Sequence, residues 1–207
     1  MKLLKNNFYD ILRLYINQIG ITIFSLVLYT AVQRIDDEAI NLKIKVAISV
    51  LSTLFYFVLL YTVSWDYGGK DKIRIDAGRL EKNSFKGAAM GLWANVPNFI
   101  LALLCVVAFG IHMSYENAGN VNAFFDSSSD LLNLFVRFTM AMYLGILQAV
   151  FYGIKANSEL LYFFWQAVGY LVMPLFAVLA THIGYTFGLK NKKIFPSGKS
   201  SQNGKNE

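Results

Sequence analysis

Four side chains with polar chemistry stand inside otherwise apolar stretches of this chain: Asn95, Asn98, Arg137 and His182. A guanidinium, two carboxamides and an imidazole are the equipment for holding a small polar solute or lining a polar path. Gln148 and Gln166 extend the same set. None belongs to a pattern that spells out catalysis. There is no His-Glu-x-x-His, no pair of glutamates on an apolar run and no Gly-x-Ser-x-Gly, so the chain is not expected to be an enzyme. His112 and His182 have no acidic neighbour at ligand spacing, and the single cysteine, Cys105, lies in an apolar run. Neither a metal centre nor a cofactor is expected. Gly68-Gly69-Lys70 lacks the upstream glycine and the following Ser/Thr of a phosphate loop, and reads as a flexible turn.

The elements that must position these groups are set by composition. The chain is 56% hydrophobic and only 15% charged, against about 25% charged in soluble domains. Its apolar residues gather into runs of about 20 or more, the length that crosses a bilayer as a helix. The expected fold is all-α: a polytopic transmembrane helix bundle with five apolar segments, at about 14–33, 46–65, 88–113, 131–154 and 160–189, and four or five full crossings. Residues 1–189 form a single membrane domain, and 190–207 read as a disordered basic tail. Ahead of the first span, Phe8, Ile11, Leu12 and Tyr15 are spaced like one face of a short amphipathic helix at the membrane surface.

Charge placement orients the bundle. Basic residues cluster in the N-terminal segment, in a charged loop at 66–87 and in the tail. By the positive-inside rule all three are expected to be cytosolic in a multi-pass protein of the cell membrane, with the lipid bilayer as first partner. Nucleic acid is not an expected partner, since Lys and Arg beside long apolar runs are explained by orientation. Three apolar segments separate the loop from the tail, an odd number. One of them should therefore fail to cross, and 131–154, which carries Arg137, is the candidate.

Within the loop, Ile73 and Ile75 alternate with charged residues like a short extended piece, and Ala77-Gly78 looks like a turn. Gly87 and Gly91 form a GxxxG spacing suited to close helix packing, while Pro97 predicts a kink with Asn95 and Asn98 satisfying freed backbone groups. Ser127 to Asp130 supply a helix cap for the fourth segment. There Ala141, Gly145, Ala149 and Gly153 recur every fourth position, an inclined ridge suited to a membrane-protein partner or a homo-oligomer. Arg137 begins that ridge. It is expected to pair with Asp130 or Asp126, or with a carbonyl freed by Pro174 near Tyr170, or else to snorkel to the interface.

Gly78-Arg79, Lys86-Gly87, Gly91, Pro97 and the closing Gly184-Tyr185-x-x-Gly188 before a basic tail resemble a loose group of uncharacterised small membrane proteins of Gram-positive bacteria. The likeness covers about half of the chain and implies a bacterial membrane location, with no activity or site attached. Two functions remain. The first is a membrane-embedded interaction subunit of a larger complex, favoured by the small-residue ridge. The alternative is a small-solute transporter or channel-like component with a polar path near Arg137, Asn95 and Asn98.

Overall fold

The computed structural model describes residues 7–32, 36–118, 123–155 and 158–192. Every regular element among them is helical. In chain order these are α1 (Phe8–Val32), α2 (Glu38–Asp76), α3 (Lys86–Asn117), α4 (Ala123–Thr139), a 3₁₀ turn (Ala141–Tyr143), α5 (Leu144–Val150), α6 (Tyr152–Lys155) and α7 (Glu159–Leu189). The helices α1, α2, α3 and α7 are each long and apolar enough to cross a membrane. The bundle is built inside out relative to a soluble protein. Ile16, Ile23, Phe55, Leu104, Val107, Phe176 and Leu179 face outward, while Gln18, Ser49, Asn95, Asn98 and Gln166 are buried. Such a broad apolar exterior is the surface lipid requires.

The expected surface helix and first span are one continuous element, α1, with Ile11 and Leu14 already buried in the bundle. The second span is also longer than its apolar core. At 39 residues, α2 extends for about 58 Å, and its last turns are the first half of the charged loop. The extended piece expected at Ile73 and Ile75, and the flexible turn at Gly68-Gly69, are therefore both helix. Two things hold the helix together there. Lys70 pairs with Asp66 at 2.6 Å, one turn apart, and α7 lies directly against the glycines. A Cβ on Gly68 or Gly188 would collide with the backbone of the facing helix. The helix ends where a turn is expected: Gly78 takes φ +70°, its N–H bonds to Ile75 O and that of Arg79 to Arg74 O, a Schellman closure that only a glycine makes without strain.

The glycines of the two spans behind the resemblance, Gly87, Gly91, Gly184 and Gly188, turn out to be a packing seam, whereas Gly78, Arg79 and Pro97 are exposed. Gly87 sits against the Tyr185 side chain, Gly91 against Thr181, and Gly184 against the Tyr61 backbone. Accordingly α7 packs most extensively on α3 and α2. Both α3 and α7 run through their prolines, Pro97 and Pro174, without interruption.

The fourth segment departs most from expectation. Residues 131–154 do not form one helix: α4 begins early, at Ala123, so Ser127 to Asp130 lie inside it rather than capping it. It stops at Thr139, where the chain bends by 88° before resuming. The Thr139 hydroxyl bonds back to Phe135 O and Val136 O, a geometry that loosens and bends a helix. The two ends of this segment lie at the same end of the bundle. His112 of α3 approaches Asp126 at 3.9 Å, and Lys155 approaches Glu38 at 3.9 Å. The opposite end gathers the start of α3 and the ends of α2 and α7, with Lys86 on Asp71 and Trp65 donating to Lys192 O. α4 to α6 thus make a helical hairpin that enters and leaves by one face. The bend separates Arg137 from the expected ridge, and the ridge itself does not share one environment: Ala141 and Gly145 are packed inside, whereas Ala149 and Gly153, on either side of the break after Val150, are exposed.

Candidate functional site at the tip of the broken helix

A helix that stops inside a bundle leaves carbonyls and amides without their usual partners, and in lipid each must be met by protein. Two spans supply that here. From α1, Thr22 Oγ1 donates to Thr139 O at 3.1 Å and Gln18 Nε2 reaches the same carbonyl at 3.5 Å. From α2, Ser49 Oγ and Thr53 Oγ1 donate to Met142 O at 2.8 and 3.2 Å. The Gly145 N–H points back at Ser49 Oγ and Tyr29 Oη, 2.8 and 3.1 Å away. Gly145 is required for this approach, since a Cβ would run into the Lys45 backbone.

Behind the tip lies a buried carboxamide cluster. Asn98 Nδ2 donates to Gln18 Oε1 at 2.8 Å and to Asn95 Oδ1 at 3.1 Å, and Tyr56 Oη donates to Gln18 Oε1 at 3.4 Å. Asn95 Nδ2 completes the set on Gly91 O, one turn back in its own helix. The two asparagines therefore tie α3 to α1 and α2; they do not serve the carbonyl opposite Pro97.

Arg137 occupies the other side of the hairpin. Its Nη2 donates to Gln166 Oε1 of α7 at 3.3 Å and its guanidinium lies over the Phe163 ring, 5.1 Å from the centroid. The expected partners are otherwise engaged or absent from its shell. Asp126 faces His112, and among the described residues Arg137 forms no ion pair. Its Nε and the Gln166 Nε2 are both buried without a hydrogen-bond partner, as is the hydroxyl of Tyr170 one turn further along α7. The Tyr162 hydroxyl approaches Gln166 without reaching hydrogen-bonding geometry.

Two recesses lie at the same end of the bundle, each lined by a neighbour of this arginine, Phe163 in one and Lys45 in the other. One, of about 370 Å³, is lined by His112, Glu116, Asp126, Asp130 and Glu159 over Phe109 and Phe163. The other, of about 120 Å³, holds Lys45, Lys155, Glu38 and Gln148 beside Tyr162. Gln148 thus lines a recess near the hairpin. His182 does not join them: it lies near Gly87 at the opposite end, stacked on Phe85 with centroids 6.2 Å apart. Arg137, Asn95 and Asn98 are gathered around one broken helix, and His182 stands apart.

Gln18, Thr22, Tyr29, Ser49, Thr53 and Tyr56 were not among the residues expected from sequence. A signal existed in α2, where Ser49, Ser52, Thr53 and Tyr56 recur at helical spacing in a span free of charge; a stripe of hydroxyls in lipid marks the face turned to another helix. The same cue marks α1, where Gln18, Thr22, Ser25 and Tyr29 recur at helical spacing and are buried together.

The far end carries a second polar cluster. Asp71 is buried and accepts from Lys86 Nζ at 2.6 Å and Tyr185 Oη at 2.8 Å. Its role is to join α2, α3 and α7. Among the described residues no three His, Cys, Asp or Glu side chains are placed to hold a metal ion. No family model, curated protein or solved structure matches this chain.

Proposed function

We propose that this integral membrane protein is a small-solute carrier or channel-like component in which the α4–α6 hairpin forms the polar part of the path. The observation that carries the proposal is the re-entrant helix break, with Arg137 beside it holding unfilled donors. Broken helices at membrane depth are tolerated where backbone lines a cavity or is wrapped in protein, and they recur at transport sites. The small-residue contacts that would support a purely structural subunit are largely used within the chain, at Gly68, Gly87, Gly91, Gly145, Gly184 and Gly188. A second reading, a subunit of a larger membrane complex, keeps one observation in its favour: Ala149 and Gly153 remain exposed, and nothing lies within 4 Å of a Cβ on Gly153. The proposal includes a bacterial cell-membrane location with the Asp71 end cytosolic, supported by Lys70, Arg74, Arg79, Lys82 and Lys86 at that end.

Uptake by the purified protein in sealed liposomes tests the reading. Small polar solutes are expected to enter faster than into protein-free liposomes, and Arg137→Leu should lose that difference while keeping its stability in detergent. Removing the charge relieves an insertion cost of about 3 kcal/mol, which offsets the hydrogen bond lost at Gln166, worth about 1–3 kcal/mol. Uptake equal in parent and empty liposomes across amino acids, sugars and inorganic ions would end the carrier reading in favour of the subunit.

A further inference from the structure

The unfilled hydrogen-bonding groups around Arg137 are all able to donate. Arg137 Nε–H and Gln166 Nε2–H have no acceptor, and the Tyr170 hydroxyl is likewise unpartnered. Gln166 and Tyr170 are fully buried, at 0% exposure. A partly buried cation without a counter-ion among the described residues, its Nε shielded from solvent and beside donors without acceptors, is complementary to a group that only accepts and carries negative charge. A carboxylate meets both conditions, and a guanidinium edge with a neighbouring amide N–H offers it two parallel bonds.

The surroundings narrow the ligand further. Lys45 lies within electrostatic range of Arg137, so the positive field extends into the smaller recess. The larger recess, across Phe163, bears four carboxylates and one histidine. A simple anion would be repelled from that mouth. Asp126, Asp130, Asn133 and Arg137 follow one another at helical spacing on α4, so Asp130 stands about two turns, about 10 Å along the axis, from Arg137, and Asp126 about three turns. Acid at one end of this helical row and base at the other match a solute with a charge at each end.

We propose that the hairpin binds a small zwitterionic amino-carboxylate, its carboxylate on Arg137 and Gln166 and its ammonium toward Asp126, Asp130, Glu116 and Glu159. This rests on the solute-handling reading and names its substrate class. The two ends divide the work: the arginine side fixes the ligand, and the acidic mouth selects against plain carboxylates.

Thermal unfolding of the protein in nanodiscs, with probes added, decides the matter. The probes are glycine, 4-aminobutanoate, 6-aminohexanoate and glycylglycine, with butanoate and butylamine as single-charge controls. At least one zwitterion should raise Tm saturably, with apparent affinity at least about tenfold above both controls, the equivalent of one charge-assisted contact. Gln166→Glu supplies the carboxylate from within. It should raise Tm without ligand and abolish the zwitterion response, a result that does not depend on a destabilised variant. Asp126→Asn combined with Asp130→Asn should reduce the zwitterion's affinity to that of butanoate. Equal responses to butanoate and zwitterions, a zwitterion response that survives Gln166→Glu, or no saturable response to any of the four zwitterions would overturn the assignment. Liposomes that take up sugars or ions while no zwitterion binds would leave solute transport standing and remove only this inference.

Discussion

Asp71 and Arg137 are opposite cases of a charge inside an apolar protein. Asp71 has its charge answered twice over, by Lys86 at 2.6 Å and the Tyr185 hydroxyl at 2.8 Å, with both ions largely shielded from solvent. Taking away one member of such a pair strands the other, which costs about 3–5 kcal/mol, whereas replacing both by apolar groups is often close to neutral. Asp71→Ala should therefore lower the unfolding temperature in detergent sharply, while Asp71→Leu combined with Lys86→Met should recover most of the loss. A double variant as unstable as the single one would mean that Asp71 acts through Tyr185 and the helix end alone. Arg137, by contrast, has a neutral amide and an aromatic face for company. A charge held in that way costs stability, and a group held at such a cost belongs to function more readily than to architecture.

Among the elements, the four crossings could be read from apolar run length because in lipid the backbone has no alternative to helix over such a stretch. The charged loop could not. Ile73 and Ile75 show a period of two, but an ion pair on one side of α2 and the Gly68–Gly188 contact on the other keep the helix going to Asp76. The spacing Ala141, Gly145, Ala149, Gly153 misled for a related reason. It is a valid helical ridge, yet it starts at a bend that is fixed from outside, by hydroxyls of Thr22, Ser49 and Thr53 on other helices, and the helix that carries it ends at Val150. Periodicity within a segment carries no record of hydrogen bonds made by its neighbours. The candidate site was legible in its residue types, Asn95, Asn98 and Arg137, and not in its partners: α4 is continuous from Asp130 to Arg137, as that pairing required, but the guanidinium turns to the Gln166 amide and the Phe163 ring of α7, a match that a charge-for-charge expectation does not include. The bend makes its own prediction. Gly145→Val places two methyl groups against the Lys45 backbone and should cost about 1–3 kcal/mol of stability, whereas Gly153→Val, in open space, should change little. In a Cys105→Ser background, Ala141→Cys should be shielded from a small thiol reagent and become reactive when Gly145→Val is added. Equal reactivity with and without Gly145→Val would show that the tip is not seated by this glycine.

At the scale of the molecule, the count of crossings follows from where the hairpin returns. Asp126 of α4 meets His112 at the end of α3, and Lys155 after the hairpin meets Glu38 at the start of α2. Both contacts lie at the end opposite to Asp71, so the broken segment enters and leaves at one end of the bundle, while α1 begins and α7 ends at the other. Were the fourth segment a full span, α7 would have to run the other way, and Trp65 could not donate to Lys192 O at 2.7 Å. The arrangement also reconciles Lys190 and Lys192 with the basic residues at 70–86, which an odd number of crossings would put on opposite sides. Single cysteines introduced into the Cys105→Ser protein test it directly. Asp36→Cys, Ala118→Cys and Ser158→Cys should respond together to a membrane-impermeant thiol reagent in sealed vesicles, and Gly78→Cys and Asn191→Cys should respond together with the opposite sidedness. If Ala118→Cys and Ser158→Cys fall on different sides, the segment between them spans the bilayer in full, and the hairpin, with the site built at its tip, does not exist in the membrane.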